Sequence, residues 1–239
     1  MKLQVNHIRK TFHQQFGDID AIADLSLGVR KGEFVCLVGP SGCGKSTLLS
    51  IIAGLEKGTA GTIQSSGKIG MLFQDPTLFP WLTVWENIAF GLRMRNVRAQ
   101  DIPTQVIRMI RLVKLHGFEQ AYPHQLSGGM KQRTAIARTL VLSPDILLMD
   151  EPFASLDALT RETLYGDLQR ICKITGATVL FVTHNVREAA CLGDRILVMS
   201  PRPGTITAEV RVRASRPRNI GDTPVIRIAN RVRTLLTAN

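Results

Sequence analysis

The spacing of apolar residues predicts strands and helices that alternate along much of the chain. Apolar and polar residues alternate around Leu3 and Val5 and again at Leu25, Leu27 and Val29, which is typical of half-buried strands. Continuous apolar runs predict strands buried on both faces, as in a parallel sheet, over 34–38, 146–149, 179–182 and 196–199. Helical spacing separates the later runs, so the pattern predicts an α/β fold.

Two regions interrupt this alternation. The middle of the chain, 85–143, contains no convincing strand, and the apolar residues of 102–113 recur at helical spacing. We therefore expect a helical insertion between core strands. Near the end, Asp222 followed by Pro224 predicts the start of a helix, and helical spacing of apolar residues continues to Leu235.

The composition agrees with a folded protein and narrows its class. The chain has 239 residues, 44% of them hydrophobic and 21% charged, enough for one fair-sized domain or two small ones. No apolar run reaches the roughly 18–20 residues that cross a bilayer, and the first residues lack the apolar stretch of a secretory signal. Four scattered cysteines form no CxxC pair, so we expect reduced packing residues.

A glycine-rich run follows the first buried strand and matches the phosphate-loop pattern GxxxxGK[ST] in full. It consists of Gly39, Pro40, Ser41, Gly42, Cys43, Gly44, Lys45 and Ser46, and a helix is predicted from Thr47 onward. Between a strand and a helix, the backbone N–H groups of such a loop face one point, and the helix dipole adds positive charge there. We expect Lys45 to contact the β- and γ-phosphates of a nucleotide and the Ser46 hydroxyl to bind Mg²⁺.

A second buried strand, 146–149, is followed by two carboxylates, Asp150 and Glu151. At the C-terminal end of a parallel strand beside the phosphate loop, Asp150 is placed to bind Mg²⁺ through water. Glu151 is then placed to accept a proton from the attacking water, or to orient it. The two motifs together predict hydrolysis of a nucleotide.

A second anion-binding helix start is predicted at Ser127, Gly128 and Gly129, shortly before that strand. One nucleotide does not need two such cradles from the same subunit. The second cradle therefore suggests a nucleotide that is bound by another copy of the chain.

With these motifs in this order, residues 1–200 closely resemble the ATP-binding subunits of ABC transporters, whose LSGG motif matches 126–129. The resemblance implies ATP and Mg²⁺ as cofactors. It also implies a head-to-tail dimer in which each ATP lies between one subunit's phosphate loop and the other's LSGG helix. The implied fold is an α/β P-loop NTPase core of the ABC ATPase type, with a small antiparallel β part and a helical insertion.

The resemblance assigns roles to further residues. Gln74 is implied to touch Mg²⁺ and the attacking water and to sense the membrane partner. Asp157 is implied to end a loop that crosses the dimer interface, and His184 is implied to contact the γ-phosphate. An aromatic residue near the start of the chain is implied to stack on adenine; Phe12 fits best and Phe16 is the alternative. The implied catalytic residues are Lys45, Gln74, Glu151 and His184, and the implied metal ligands are Ser46, Gln74 and Asp150.

The segment after Gln74 is similar to the nitrate, sulfonate and taurine group of bacterial importers. The run Phe-Pro-Trp-Leu-Thr-Val at 79–84 is typical of that group, as is 152–157. In importers this region forms the groove that receives a short helix of the membrane subunit. Phe79 and Trp81 are either exposed anchors in that groove or buried packing residues between the core and the helical insertion.

These features imply the ATP-hydrolysing subunit of a bacterial ABC importer for a small solute, peripheral at the cytoplasmic face of the inner membrane. Its implied partners are a second copy of itself, two membrane permease subunits that dock near 74–85 and, indirectly, a solute-binding protein, with no nucleic acid. The alternatives are an exporter subunit and a non-transport ABC ATPase acting on nucleic acid. The chain has one nucleotide unit and no room for a long coiled coil between Lys45 and Asp150, which disfavours the latter.

The formal net charge of +11 is the unusual number in the composition. We expect a single domain with its core in 1–84 and 144–200, the helical insertion in 85–143 and a basic strand and helix in 201–239. That last segment carries eight arginines against two carboxylates, more than half of the excess charge. They either meet anionic lipid headgroups or form a solvated basic surface. The arginines are Arg202, Arg211, Arg213, Arg216, Arg218, Arg227, Arg231 and Arg233.

Overall fold

The strands of the computed structural model form two separate sheets, and the helices lie around the larger one. The structure describes residues 1–13 and 17–238. The strands in these residues are β1 (Leu3–Phe12), β2 (Ile19–Val29), β3 (Phe34–Val38), β4 (Ala60–Ser65), β5 (Ile69–Leu72), β6 (Ile146–Asp150), β7 (Thr178–Thr183), β8 (Arg195–Met199) and β9 (Ile206–Arg211). The α-helices are α1 (Lys45–Ile52), α2 (Val84–Met94), α3 (Ile102–Leu112), α4 (Gly128–Leu140), α5 (Ala158–Thr175), α6 (Val186–Leu192) and α7 (Thr223–Thr237).

The smaller sheet is antiparallel, with β1 between β2 and β4. Leu3 pairs with Val29 of β2 and with Ser65 of β4. The apolar residues of β1 and β2 that were predicted from their alternation are buried, as expected of half-buried strands. This sheet confirms the small antiparallel β part that the family resemblance implies.

The larger sheet has the strand order β5-β6-β7-β3-β8-β9, in which only β9 runs antiparallel to its neighbour. The register pairs Val38 with Thr183, and Asp150 with Val182. The C-terminal ends of β3, β6 and β7 therefore meet at one edge of the sheet. The segments that follow these strands carry the predicted nucleotide motifs, which is why residues more than a hundred positions apart come together.

The central strands separate two apolar layers. Phe34, Cys36 and Val38 of β3 belong to one buried cluster, and Val35 and Leu37 belong to the other. The first cluster packs against α2 to α7, whereas the second lies under the smaller sheet and α1. The apolar runs of the sequence are thus buried on both faces and confirm the α/β prediction.

The middle of the chain is helical, and none of residues 85–143 lies in a strand. Thr83 begins α2 with a capping box, since its side chain accepts from Glu86 N at 3.2 Å and its N–H donates to Glu86 Oε2 at 2.9 Å. The buried Asp167 of α5 ties this helical layer to the core, because its carboxylate pairs with Arg133 of α4 at 2.6 Å and with Lys114 at 2.7 Å.

The C-terminal segment forms the predicted strand and helix, but both are part of the core. β9 pairs with β8, and Val225, Ala229 and Val232 of α7 lie in the first buried cluster. Asp222 precedes α7 as predicted, although its carboxylate accepts from Asn219 N at 2.7 Å and makes no hydrogen bond to the helix.

Two arginines of this segment point inward, so the expectation of an exposed basic surface is wrong for them. Arg218 is 3% exposed and donates to the carbonyl oxygens of Ala190 and Gly193, both at 2.9 Å. These carbonyls lie at the C-terminal end of α6, where the helix dipole favours a cation. Arg216 is half-buried and pairs with Asp194 at 2.9 Å.

The four cysteines are buried and unpaired, which confirms that they pack in the core. Burial raises the pKa of the Cys172 thiol to about 12 and that of the Cys191 thiol to about 11. In the part of the chain that the structure describes, no helix is both long enough and apolar enough to span a bilayer.

Candidate functional site

The glycine-rich run is a tight loop between β3 and α1. Gly44, the residue before α1, has φ +97°, and a Cβ there would lie 2.7 Å from the carbonyl oxygen of Ala21. Both the left-handed backbone and the close approach of β2 require glycine at this position. The loop therefore turns sharply, and the first N–H groups of α1 face the concave side of the turn.

Lys45 places a cation at the centre of this loop. Its side chain is buried, and Nζ donates to the carbonyl oxygens of Gly39 at 2.9 Å and Pro40 at 2.8 Å. The Sγ of Cys43 lies 3.6 Å from the same nitrogen. An ammonium held among loop carbonyls at a helix N-terminus attracts phosphate oxygens.

The predicted metal ligands Ser46 and Asp150 touch each other. The Ser46 hydroxyl donates to Asp150 Oδ1 at 3.0 Å, although the residues are 104 positions apart. Burial raises the pKa of Asp150, and nearby Glu151 adds to the rise, whereas the hydrogen bond from Ser46 opposes it.

This pair of oxygen groups fits Mg²⁺, which prefers hard oxygen ligands and keeps several waters. Among the described residues no group of three His, Cys, Asp or Glu side chains could hold a metal ion by itself. A Mg²⁺ at Ser46 and Asp150 would therefore need further oxygens from nucleotide phosphates and water.

The predicted catalytic residues Glu151 and His184 also meet. His184 Nδ1 lies 2.6 Å from Glu151 Oε2, and 57% of the His184 side chain is exposed. The backbone of Glu151 has φ 41° and donates its N–H to Val182 O at 3.0 Å. This left-handed conformation is rare for a residue with a side chain and marks a position fixed by its surroundings.

A buried polar group lies behind this pair, and it was missed in the sequence. Glu188 on α6 is 5% exposed and accepts a hydrogen bond from Thr183, the residue before His184. The Thr183 hydroxyl in turn accepts from Asn185 N at 2.9 Å. Burial raises the pKa of Glu188 to about 7, and hydrogen bonds from Thr183 and Tyr165 limit the rise. These contacts fix the turn that carries His184.

Phe12, the predicted adenine platform, lies beside the phosphate loop. Its ring lines a cavity of about 320 Å³ together with Ala21, the phosphate loop, Glu151 and Arg202. Lys10 Nζ lies 4.6 Å from the centre of the Phe12 ring. The alternative adenine platform, Phe16, lies outside the described residues.

Gln74 is exposed and lies just beyond β5. The register pairs Leu72 of β5 with Met149 of β6, so Gln74 follows its strand at the level of Glu151. It is thus on the same edge of the sheet as the residues above. No hydrogen bond from the Gln74 side chain is described.

The second glycine-rich helix start forms a separate group. The Ser127 hydroxyl caps α4 by accepting from Met130 N at 3.3 Å, and Asp157 caps α5 by accepting from Thr160 N at 3.0 Å. A Cβ at Gly129 would lie 2.6 Å from Thr160 Cγ2, so these two helix starts adjoin. Neither Ser127 nor Asp157 belongs to the described lining of the 320 Å³ cavity.

A model of the family described as ABC transporter matches residues 22–154. An uncharacterized ABC transporter ATP-binding protein of Methanocaldococcus jannaschii is 45% identical over 227 residues, 92% of this chain and 85% of the relative. The aliphatic sulfonates import ATP-binding protein of Bacillus thuringiensis subsp. konkukian is 43% identical over 92% of this chain and 89% of its own length. The taurine import ATP-binding protein of Jannaschia sp. is 45% identical over 82% of this chain and 76% of its own length.

Among solved structures, the chain is similar to a dimeric ATP-binding cassette in a post-hydrolysis state bound to ADP and Pi. The TM-score is 0.78 at 32% sequence identity, and the match covers 89% of this chain and 100% of that one. A second dimeric structure of the same protein, described as a bacterial ABC transporter cassette, gives a TM-score of 0.77 over the same shares of the two chains.

Proposed function

The chain belongs to the ABC transporter family as an ATP-binding and ATP-hydrolysing subunit, and we propose that it powers import of a small solute of the nitrate, sulfonate or taurine class. The observation that carries the ATPase assignment is the meeting of Lys45, the Ser46–Asp150 pair and the Glu151–His184 pair at one edge of the sheet. The names of the sulfonate and taurine import relatives support the direction and solute class.

Each residue of this edge has a proposed part in hydrolysis. Lys45 exchanges the Gly39 and Pro40 carbonyls for β- and γ-phosphate oxygens, and the backbone of Gly39 to Thr47 cradles the phosphates. Ser46, Asp150 and Gln74 would hold Mg²⁺, and the ion would supply positive charge next to the phosphates. Glu151 orients the attacking water and accepts its proton, while His184 leaves the carboxylate to contact the γ-phosphate.

The second helix start completes the site of another copy. Ser127, Gly128 and Gly129 present N–H groups of α4, and Asp157 lies beside them, outside the chain's own nucleotide cavity. Two copies arranged head to tail bring each such group to the partner's γ-phosphate. ATP then closes the dimer, and hydrolysis with phosphate release opens it. The dimeric form of the similar solved cassettes supports this arrangement.

An aromatic groove beside β5 is the proposed docking site for membrane permease subunits. Trp81 is 70% exposed, and the Phe79 ring lies 5.7 Å from that of Trp81 and 4.7 Å from that of Phe90. The groove has a volume of about 510 Å³ and is lined by Phe73, Phe79, Phe90 and Met94. Trp81 lies beside the groove, against Phe79. Exposure of Trp81 favours an interface over internal packing. The chain would then lie at the cytoplasmic face of the inner membrane and receive solute signals from a binding protein indirectly.

Reconstitution tests this function. The chain is incorporated into proteoliposomes with candidate permease subunits and a candidate solute-binding protein, and ATP hydrolysis is measured. We expect stimulation by the loaded binding protein, and Trp81→Ala should reduce the stimulation several-fold relative to the variant's own unstimulated rate. Phe118→Ala, an exposed aromatic residue outside the groove, is the matched control. Stimulation by DNA or ribosomes instead of permeases would contradict the importer assignment.

A further inference from the structure

The turn between β8 and β9 is fastened to the phosphate-loop side of the molecule. Gly204 N donates to Ala21 O at 3.0 Å, and Ala23 N donates to Gly204 O at 3.2 Å, so this residue bridges to β2. The turn is closed on its other side by Ser200, whose N–H donates to Thr205 O at 3.0 Å and whose hydroxyl accepts from Thr205 N at 3.0 Å. Both ends of the turn are therefore held by hydrogen bonds.

Gly204 also lies against the phosphate loop itself. A Cβ at this position would overlap the carbonyl oxygen of Cys43, and it would lie 2.6 Å from the Met199 side chain. Only glycine permits this approach of the two backbones. The position of the turn relative to the phosphate loop is thus fixed by backbone contacts, even though the turn is 160 residues further along the chain.

The tip of this turn presents Arg202 to the nucleotide cavity. Arg202 is exposed and lines the cavity with Phe12, Ala21 and most of the loop residues from Ser41 to Thr47, Cys43 excepted. Arginines at the opposite end of β8 have carboxylate partners: Arg195, the first residue of β8, pairs with Glu33 at 3.1 Å, and Arg216 pairs with Asp194 at 2.9 Å. The ion pairs described for residues 1–13 and 17–238 do not include Arg202, so its charge remains available for a ligand.

We propose that Arg202 is a nucleotide-binding residue, which contacts the polyphosphate from the side of β2, opposite the Mg²⁺ pair Ser46 and Asp150. The inference rests on the proposed ATPase function and adds a ligand that the phosphate-loop motif does not contain. A guanidinium is always charged and donates to two phosphate oxygens at once, whereas Lys45 is a single ammonium. Lys45 and Ser46 hold the β- and γ-phosphates, so the contact of Arg202 does not depend on the γ-phosphate. Arg202 should therefore contribute equally to the affinity for ATP and to the affinity for ADP.

The test is isothermal titration of the full chain and its variants with ADP, adenosine and a non-hydrolysable ATP analogue. Arg202→Ala should weaken the affinity for ADP and for the ATP analogue by a similar factor, roughly tenfold. Arg202→Lys should recover part of the loss, and the Kd of Arg202→Ala should rise less steeply with salt than that of the parent. Arg213→Ala, an exposed arginine of the same segment that lines other grooves, should bind as the parent does.

An unchanged Kd for Arg202→Ala, with nucleotide binding by the parent intact, would overturn this inference and leave the ATPase assignment standing. An equal loss for adenosine and for ADP would also overturn it, because the contact would then be to the base. If the parent chain binds no nucleotide at all, the proposed function itself fails.

Discussion

The starts of α1 and α4 are both glycine-rich, yet only the first stands inside a nucleotide site. At α1 the backbone turn encloses Lys45, and Ser46 contacts the carboxylate of Asp150 from another strand. At α4 the Ser127 hydroxyl caps its own helix, and the nearest neighbours are the residues that begin α5. One chain therefore holds one nearly complete phosphate site and a second helix start without a site around it.

The topology of the chain produces this difference. α1 begins at the end of β3, which lies between β7 and β8 in the sheet. The imidazole follows the adjacent strand β7 and the carboxylates follow β6, one strand further along the same edge. α4 begins in the helical layer, after the short turn Pro123–Gln125, where no strand ends beside it. In the proposed head-to-tail dimer, a second copy supplies the phosphate for α4. The four variants below test that division between the two helix starts, from the largest expected effect to the smallest.

Lys45→Ala should have the largest effect, because it removes the cation from the complete site. Loss of its charge-assisted bonds to phosphate, about 1.5–3 kcal/mol each, should weaken ADP binding by a hundredfold or more. Titration calorimetry of the monomeric chain with ADP measures this loss of affinity. Lys131→Ala, which removes a lysine from the first turn of α4, is the control and should leave ADP affinity unchanged. An equal loss of ADP affinity in the two variants would show that the starts of α1 and α4 do not differ in nucleotide binding.

Glu151→Gln should separate binding from hydrolysis within the complete site. The amide cannot accept a proton from water, so turnover should fall by roughly 10²–10⁴ while ATP still binds. Size-exclusion chromatography with ATP should show a dimer that the parent chain forms only transiently. Hydrolysis at the parental rate would show that Glu151 is not the base.

Ser127→Asp should affect only the encounter between two copies. Aspartate caps a helix as well as serine does, so the melting temperature of the monomer should be retained. Its negative charge at the start of α4 repels the γ-phosphate of a partner's ATP, so the ATP-induced dimer should weaken at least tenfold in a Glu151→Gln background. ADP affinity of the single copy should not change. A normal dimer with this variant would remove α4 from the interface.

The buried strands and the residues at their ends are the part of this molecule that the sequence makes predictable. The run 34–38 is continuously apolar because both faces of β3 are covered. The phosphate loop follows the end of this strand, where the chain leaves the buried sheet and can face a ligand. β4 was not predicted, for the opposite reason: nearly all of its residues are exposed. Its pairing with β1 therefore produces no alternation of apolar and polar residues in the sequence.

Contacts between distant residues were the unpredictable part. Arg218 counts as surface charge in the sequence, yet it is buried because the carbonyls at the end of α6 accept its hydrogen bonds. Arg202 reaches the nucleotide cavity only because Gly204 fits against Cys43. Glu188 stands among the apolar residues of α6, where its spacing alone suggests a solvent-facing position. Such contacts depend on how helices and turns pack on the sheet, which no local pattern records.

Glu188→Gln should give the smallest effect and the one that depends on pH. Burial holds the pKa of Glu188 at about 7 in the folded chain, above the ordinary glutamate value of 4.5. The folded state therefore keeps a proton that the unfolded state has lost, and stability falls as pH rises between these two values. Between about pH 5 and pH 8 the parent should lose on the order of 2–3 kcal/mol of unfolding free energy that the variant retains.

Urea unfolding at a series of pH values measures this difference, with Glu162→Gln on the exposed surface of α5 as the control. ATP hydrolysis measured over the same pH series tests whether the Glu188–Thr183 contact affects only the site at the start of α1 and not the start of α4. Because that contact fixes the turn of His184, the variant should change the pH profile of hydrolysis without altering dimer formation through α4. If parent and variant lose stability in parallel as pH rises, the carboxyl of Glu188 is ionised in the folded chain. The turn of Thr183 and Asn185 would then hold His184 without a proton on Glu188.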